Sequence, residues 1–346
     1  HSAVQALMQR ISGLAIGIAA SALADVVPEP KEGFRRFIRR EPLGTVLVVA
    51  PWNYPFQLAL DPLVGALAAG NCVALKPSTT SARTCRLIGN ILGEIFPPDY
   101  VSVFDGDHAQ TAELMEYRFD HIFFTGGAAF GRTVMEKAAA HLTPVTLELG
   151  GKSPCDVDRT ADLDTAARKI AWGKLLNAGQ TCIAPDYVLL VGRSRRDALV
   201  QALRAQVAAR YGDLSDAGDY TRIINDGQFA RLDGYLDDAR QRGHQVVPLA
   251  AHHDRAQRLF APALVLEPGD EAKVMQDEIV GPILPIRTVA SLDEAIASGK
   301  DARDDIGAYA KVDEFPYGFI RKRLSVVVRQ TGEAEDLMFC KGAVQT

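Results

Sequence analysis

Residues 44–77 read GTVLVVAPWNYPFQLALDPLVGALAAGNCVALKP, and the order of segments in this stretch decides the fold. GTVLVVA is a short β-branched run with no polar interruption, the pattern of a strand covered on both faces. LDPLVGALAAG is helix-like and closed by Gly70, and CVALKP is a second buried strand. The same alternation continues outward. ARTCRLIGNILGEIF reads as an amphipathic helix, YVSVFDG as a strand, the region around Thr111 to Met115 as a helix, HIFFTGG as a strand and GRTVMEKAAA as a helix. Strand and helix alternating at this spacing predict stacked βαβ units, a parallel sheet with helices on both faces.

A second block begins after LELGG. It carries a predicted helix through Ala166 to Leu176, a glycine-containing loop from Asn177 to Cys182 and the strand YVLLVG. A long helical region is expected from Arg196 to about Arg242, then strands near Val246 and Ala263, with EIVGPILPI closing the regular part. The whole predicts two α/β domains meeting near Glu148.

Bulk properties narrow the classes. The chain has 346 residues, 47% of them hydrophobic and 23% charged, as in soluble proteins that bury sizeable cores. A net charge of -5 gives no electrostatic reason to expect nucleic acid or an acidic membrane surface as a partner. The five cysteines (Cys72, Cys85, Cys155, Cys182, Cys340) form no C-x-x-C pair, and the seven histidines show no ligand spacing. Neither a disulfide framework nor a metal site is expected, and a reducing cytoplasm is the simplest compartment. Residues 11–24, ISGLAIGIAASALA, loosely imitate a secretory signal. They are too short to span a bilayer and suit a packed helix ending before Pro28. The chain opens on His1 rather than Met, which leaves open whether a natural start precedes it.

Four short segments carry candidate chemistry. TGGAAFG, with Gly126, Gly127 and Gly131, sits between a predicted strand and a predicted helix, where backbone N–H groups can hold a pyrophosphate. Its spacing is not G-x-G-x-x-G, and glycines there also serve as plain turn residues. In GQTC, Cys182 closes a polar loop where a thiol is reachable, although a single cysteine is more commonly a small buried hydrophobe. LELGGKSP sets one acid, Glu148, at the end of an apolar strand, suited to a general base or to a structural ion pair with a lysine. APWNYPF places the Asn53 amide after a buried strand, where it can donate to an oxyanion or simply shape a turn before Pro55.

Together, PWNYPF, LKPS, FTGG-x-x-FG, LELGGKSP, GQTC and EIVGP stand in the order and rough spacing of the aldehyde dehydrogenase superfamily. The chain resembles its class 3-like and coniferyl-aldehyde-like members over about residues 28–312. The resemblance implies a Rossmann-like NAD(P)-binding domain over residues 1–149 and a second α/β domain bearing the catalytic thiol over 150–346. It implies that Cys182 attacks an aldehyde carbon, that the Asn53 amide and the Cys182 N–H hold the oxyanion, and that Glu148 activates the hydrolytic water. Lys76, with Ser78 and Thr79, would lie at the adenosine ribose of NAD or NADP, Gly106 at the adenine pocket and Gly126, Gly127 and Gly131 at the pyrophosphate. Glu278 would grip the nicotinamide ribose, and a homodimer is implied.

Four departures from the family pattern stand out. Gly127-Ala128 replaces Ser or Asn followed by Thr, Val280 replaces the Phe of EIFGP, and Thr79 stands where LKPSE would supply a ribose-binding acid. Beyond AYAKVDEF the chain ends in PYGFIRKRLSVVVRQTGEAEDLMFCKGAVQT, which matches no family motif; SVVVRQ is the one late stretch with strand character. A truncated gene, a shifted reading frame and a shorter variant all fit this ending. It predicts a weakened dimer and supplies the argument for an alternative, an impaired homologue that keeps only nucleotide binding or a structural role. Intact Cys182, Glu148 and Asn53 oppose that alternative and support a hydrolytic dehydrogenase. A cysteine esterase would leave Lys76 and Glu278 unexplained, and Glu148 disfavours a CoA-acylating enzyme.

Overall fold

The structure, a computed structural model, describes residues 41–214, 218–299 and the strands at 324–329 and 335–340. The signal-like stretch at 11–24 lies outside these residues. The chain divides at the Leu149–Gly150 bond into two compact units, both of the α/β class.

In the first unit five strands run parallel in the order β3-β2-β1-β4-β5. They are β1 (Thr45–Val49), β2 (Cys72–Lys76), β3 (Val101–Val103), β4 (His121–Gly126) and β5 (Val145–Leu149). Helices α1 (Gln57–Ala68), α2 (Ala82–Ile95), α3 (His108–Leu114) and α4 (Ala128–Ala139) follow the first four strands in turn. The uninterrupted apolar run of β1 is explained by helices on both faces. Val46 and Val48 pack with Ala59, Leu63, Ile88 and Leu92 of α1 and α2. Leu47 and Val49 point the other way, to Met115, Phe119, Val134 and Ala138. Leu47 is 0% exposed, so truncating it to Ala would cost about 2–5 kcal/mol. The strand order reverses between β1 and β4, and in open parallel sheets ligands bind in the crevice outside the carboxyl ends of the strands at such a point.

The second unit has the order β6-β7-β10-β9-β8, all parallel except β8 against β9. Its strands are β6 (Pro154–Val157), β7 (Tyr187–Val191), β8 (Gln245–Pro248), β9 (Ala263–Leu266) and β10 (Ile283–Val289). Helices α5 (Leu163–Leu175) and α6 (Arg196–Tyr211) pack Ile170, Leu199 and Leu203 on Val188 and Leu190 of β7. Helix α7 (Asp226–Gln241) packs Phe229, Leu232 and Leu236 with Ala263, Val265 and Ile283. Helix α8 (Lys273–Gln276) is a single turn, and α9 (Leu292–Gly299) places Ala295 against Leu189 and Val191.

Two expectations are corrected. The long helical region from Arg196 to Arg242 is two helices, because Gly212 leaves α6 at φ 60° and the chain turns away. The fully buried Tyr220 then anchors the connection by donating its hydroxyl to the Phe260 carbonyl at 3.2 Å. Near the end, the strand read in SVVVRQ is β11 (Leu324–Arg329), but it has a companion, β12 (Glu335–Cys340), that the sequence reading lacked. The two form an antiparallel pair with Leu324 opposite Cys340. Among the described residues no helix is long and apolar enough to cross a membrane, and no group of His, Cys, Asp or Glu is poised for a metal ion.

Candidate active site

In the first unit the candidate residues gather at the carboxyl ends of the strands. Asn53 lies in the half-buried turn between β1 and α1. Lys76 is the last residue of β2, opposite Val49, and Glu148 pairs in register with Thr125 near the end of β5. Lys76 is 5% exposed, and its ammonium donates to the Pro77 carbonyl at 2.7 Å. Burial pulls its pKa below the usual lysine range, against the raising effect of Cys85, Asp105 and Asp107. Ser78 accepts on its carbonyl from the Ser81 backbone at 3.2 Å and from the Ser81 hydroxyl at 3.3 Å, which shapes the short helical turn Thr79–Ser81.

Gly106 is buried where α3 begins. Asp107 caps that helix by accepting from the backbone N–H groups of Ala109 and Gln110, and the Gln110 side chain accepts from the Asp107 N–H at 2.9 Å. A Cβ on Gly106 would stand 2.8 Å from Gln110 Oε1, so this capping box needs a glycine before it. Gly126 ends β4, where a Cβ would meet the Phe124 ring. Gly131 packs against Leu149, 2.9 Å from where its Cβ would be. Gly127 differs from both: it precedes α4 at an extended backbone, and nothing lies within 4 Å of its absent Cβ.

In the second unit the candidate residues gather at the opposite strand ends. β6, β7 and β10 are neighbouring parallel strands, and the segments that enter them, from Gly150, Leu176 and Asp277, come together. Cys182 lies half-buried in the segment entering β7, in a turn closed by the Ala184 N–H on the Thr181 carbonyl at 3.2 Å. Behind it Asn177, Ala178 and Gly179 all have left-handed backbones, at φ 54°, 52° and 73°. The first two hold this conformation against the Cβ penalty, which costs roughly 1–2 kcal/mol per residue. Gln180, 2% exposed, holds the turn down: its amide donates to the Asn177 and Arg222 carbonyls, each at 3.1 Å, and its Oε1 accepts from the Ile224 N–H at 2.9 Å.

Glu278, in the segment entering β10, lies on the Gly150–Gly151 backbone. A Cβ on Gly150 would collide with its carboxylate, and the Gly151 N–H donates to it. Burial, reinforced by the charge of Asp186, pushes the Glu278 pKa up to about 7, against the opposing pull of Gly151, Arg231 and Lys174. Val280 adopts φ 45°, a strained position for a β-branched residue.

Four charged residues in this unit, Arg231, Asp186, Lys152 and Lys174, escaped the sequence reading. Arg231 on α7 donates to the Ile279 carbonyl at 2.7 Å and to those of Glu278 and Val280 at 3.4 and 3.5 Å, clamping the segment from behind. Asp186 accepts from the Ile279 N–H at 3.1 Å and pairs with Lys152 and Lys174. The available signal was a lone charge inside an apolar run: Lys174 in IAWGKLL and Asp186 before YVLLV.

A Rossmann-like α/β unit followed by a second α/β unit with a cysteine in a clamped loop defines the class of protein. The aldehyde dehydrogenase family model matches residues 4–303. Mouse aldehyde dehydrogenase family 3 member A2 is 46% identical over 274 residues, 79% of this chain and 55% of that protein. The rat protein named aldehyde dehydrogenase, dimeric NADP-preferring, is 47% identical over 261 residues, 75% of this chain and 56% of its own length. Among solved structures, the substrate-bound state of Staphylococcus aureus AldH superposes with a TM-score of 0.78 at 40% identity, covering 83% of this chain and 64% of that one. The chain belongs to the aldehyde dehydrogenase family. It spans a little over half the length of these curated relatives.

Proposed function

We propose that this chain oxidises an aldehyde to a carboxylic acid with NAD or NADP, using Cys182 as the nucleophile. The observation that carries this reading is the construction of the GQTC loop. Two non-glycine residues are kept left-handed and Gln180 is spent on three backbone bonds, all to hold one turn bearing a half-buried thiol. Strain that the surroundings over-determine in this way is concentrated at functional sites.

The first unit suits a dinucleotide. Space stands open at Gly127, a helix N-terminus of the kind that favours anions follows it at Ala128, and the Lys76 ammonium lies at the end of β2. Lys76, Ser78 and Thr79 would hold the adenosine ribose, with Gly106 at the adenine, Gly126, Gly127 and Gly131 at the pyrophosphate and Glu278 at the nicotinamide ribose. When bound, the dinucleotide supplies the hydride acceptor.

The chain's own residues do the rest. The Cys182 thiolate adds to the aldehyde carbon, and the oxyanion so formed is held by the Asn53 amide and the Cys182 N–H. Loss of hydride leaves a thioester on Cys182. Glu148 takes a proton from the water that attacks this thioester, which releases the acid and the thiolate. Leu176 and Ile183, exposed on the two sides of the thiol loop in sequence, favour an apolar aldehyde. By analogy with the dimeric rat relative, two chains would associate.

The test is reduction of either nicotinamide cofactor with a panel of aldehydes, in the native chain and in Cys182→Ala. Turnover should vanish in the variant while dinucleotide binding persists; retained turnover would overturn the mechanism. Native chain that binds dinucleotide and reduces none would instead mark an impaired homologue. Cys155 and Cys85, 0% and 2% exposed, should yield Ala variants that lose stability rather than rate.

A further inference from the structure

Lys174 is 2% exposed at the end of α5, just before the loop that carries Cys182. Its ammonium makes no hydrogen bond, and the carboxylate facing it is Asp186, at 3.8 Å. A lysine buried in this way loses its hydration with little direct return, which is expensive unless the charge acts on something. Asp186 is 3% exposed and fully engaged: it pairs with Lys152 and Lys174, accepts from the Ile279 N–H, and donates its own N–H to the Ser153 carbonyl at 2.8 Å. It thereby fixes the peptide next to Glu278 and ties together the segments entering β6, β7 and β10.

We propose that Lys174 and Asp186 are positioning residues for Glu278: a buried ion pair that fixes both the place and the charge of that carboxylate beside the nucleophile loop. The groups facing Glu278 are Asp186, Lys174, Arg231 and the Gly151 N–H, and those facing Lys174 are Asp186, Lys152 and Glu278. Within this set the two proposed residues act in opposite senses. The Asp186 charge opposes ionisation of Glu278, and the Lys174 charge favours it. Burial, partly offset by Asp186, brings Lys174 itself down to about 8, so the cluster changes charge close to the neutral range. The nucleophile loop packs on the same segments, Gly179 lying against the backbone carbonyls of Lys174 and Gly281. That Glu278 contacts the cofactor rests on the function proposed above; the ion pair's hold on Glu278 does not.

The experiment is a pH titration of the full chain with isotope-labelled glutamate carboxyls, followed by NMR, with Glu278→Gln identifying the signal. Lys174→Met removes the ammonium while keeping an unbranched stem of similar volume beside Leu203, Val207 and Pro282. The Glu278 midpoint should rise by about one pH unit in Lys174→Met and fall by about one in Asp186→Asn, while Lys174→Arg stays near the native value. Midpoints that do not move, or that move in the same direction in both variants, would overturn the proposal. Should Lys174→Met fail to fold, the fall in Asp186→Asn decides it alone. Dinucleotide affinity measured by calorimetry across the same pH range separates the two readings. Affinity that tracks the shifted midpoint supports both, whereas a shifted midpoint with unmoved affinity upholds the ion pair's role and sinks only the contact between Glu278 and the cofactor.

Discussion

Gly179 and Gly281 meet backbone to backbone, the carbonyl of Gly281 filling the place where a side chain on Gly179 would begin. The loop carrying Cys182 and the loop carrying Glu278 thus meet through the missing side chain of Gly179, whereas a Cβ on Gly281 would run into Leu232. Gly179→Ala adds a left-handed penalty of roughly 1–2 kcal/mol and a clash with a fixed carbonyl. The expected loss is upwards of about 3 kcal/mol, read as a lower Tm and slower alkylation of Cys182. Unchanged alkylation would show that the loop is not held by this contact.

Glu148→Gln isolates the second half of the proposed reaction. The variant should reduce about one equivalent of cofactor per chain and then stall with an acyl group on Cys182. Intact-mass spectrometry reads the adduct. Steady turnover at the native rate would remove Glu148 from the mechanism.

Under the proposed function, cofactor choice would turn on Thr79, the half-buried first residue of the turn after β2. A threonine neither repels a 2'-phosphate nor binds a ribose hydroxyl as an acid does, so NADP should be used at least comparably to NAD. Thr79→Glu should lower kcat/KM for NADP relative to NAD by about tenfold or more. A strong native preference for NAD would contradict this assignment.

Asp156 makes a prediction about stability alone. It is 5% exposed on β6, one carboxylate oxygen has no hydrogen-bond partner, and burial raises its pKa from 3.8 to about 6. The folded chain therefore binds this proton more tightly than the unfolded chain. Stability falls as pH rises from about 4 to about 6 and the penalty is complete above that range, on the order of 2–3 kcal/mol. Asp156→Asn should raise Tm at neutral pH and change little at about pH 4. An equal effect at both values would show that the carboxylate carries no charge penalty.

Much of the fold was legible because local pattern and tertiary role agree. The runs VLVV and CVALK are apolar throughout since both faces of their sheet are covered, and Gly126 and Gly127 mark the passage from β4 to α4. The break between α6 and α7 was legible in GDLSDAGD, residues 212–219, whose glycines and aspartates mark a turn, but the helix-like runs on either side were read as continuous. β12 was missed because EDLMFC begins with two acids and lacks β-branched residues. At the site, single residues such as Cys182 and Glu278 could be picked out, whereas the cluster around Asp186 could not. Its members lie far apart in sequence, Asp186 being 34 residues from Lys152 and 93 from Ile279. Such relations exist only once β6, β7 and β10 are adjacent.

The placement of three departures from the family pattern beyond the ends of strands has an evolutionary consequence. Thr79, Ala128 and Val280 each depart from the family pattern, and each lies outside a strand. Under the proposed function, a change at such a position would alter what the chain recognises while the sheets continue to assemble as before. Even the strained Val280 concentrates its penalty in one residue. Chemistry and foldability are in this way inherited separately, and selection can revise cofactor or substrate preference in small steps without first rescuing the scaffold.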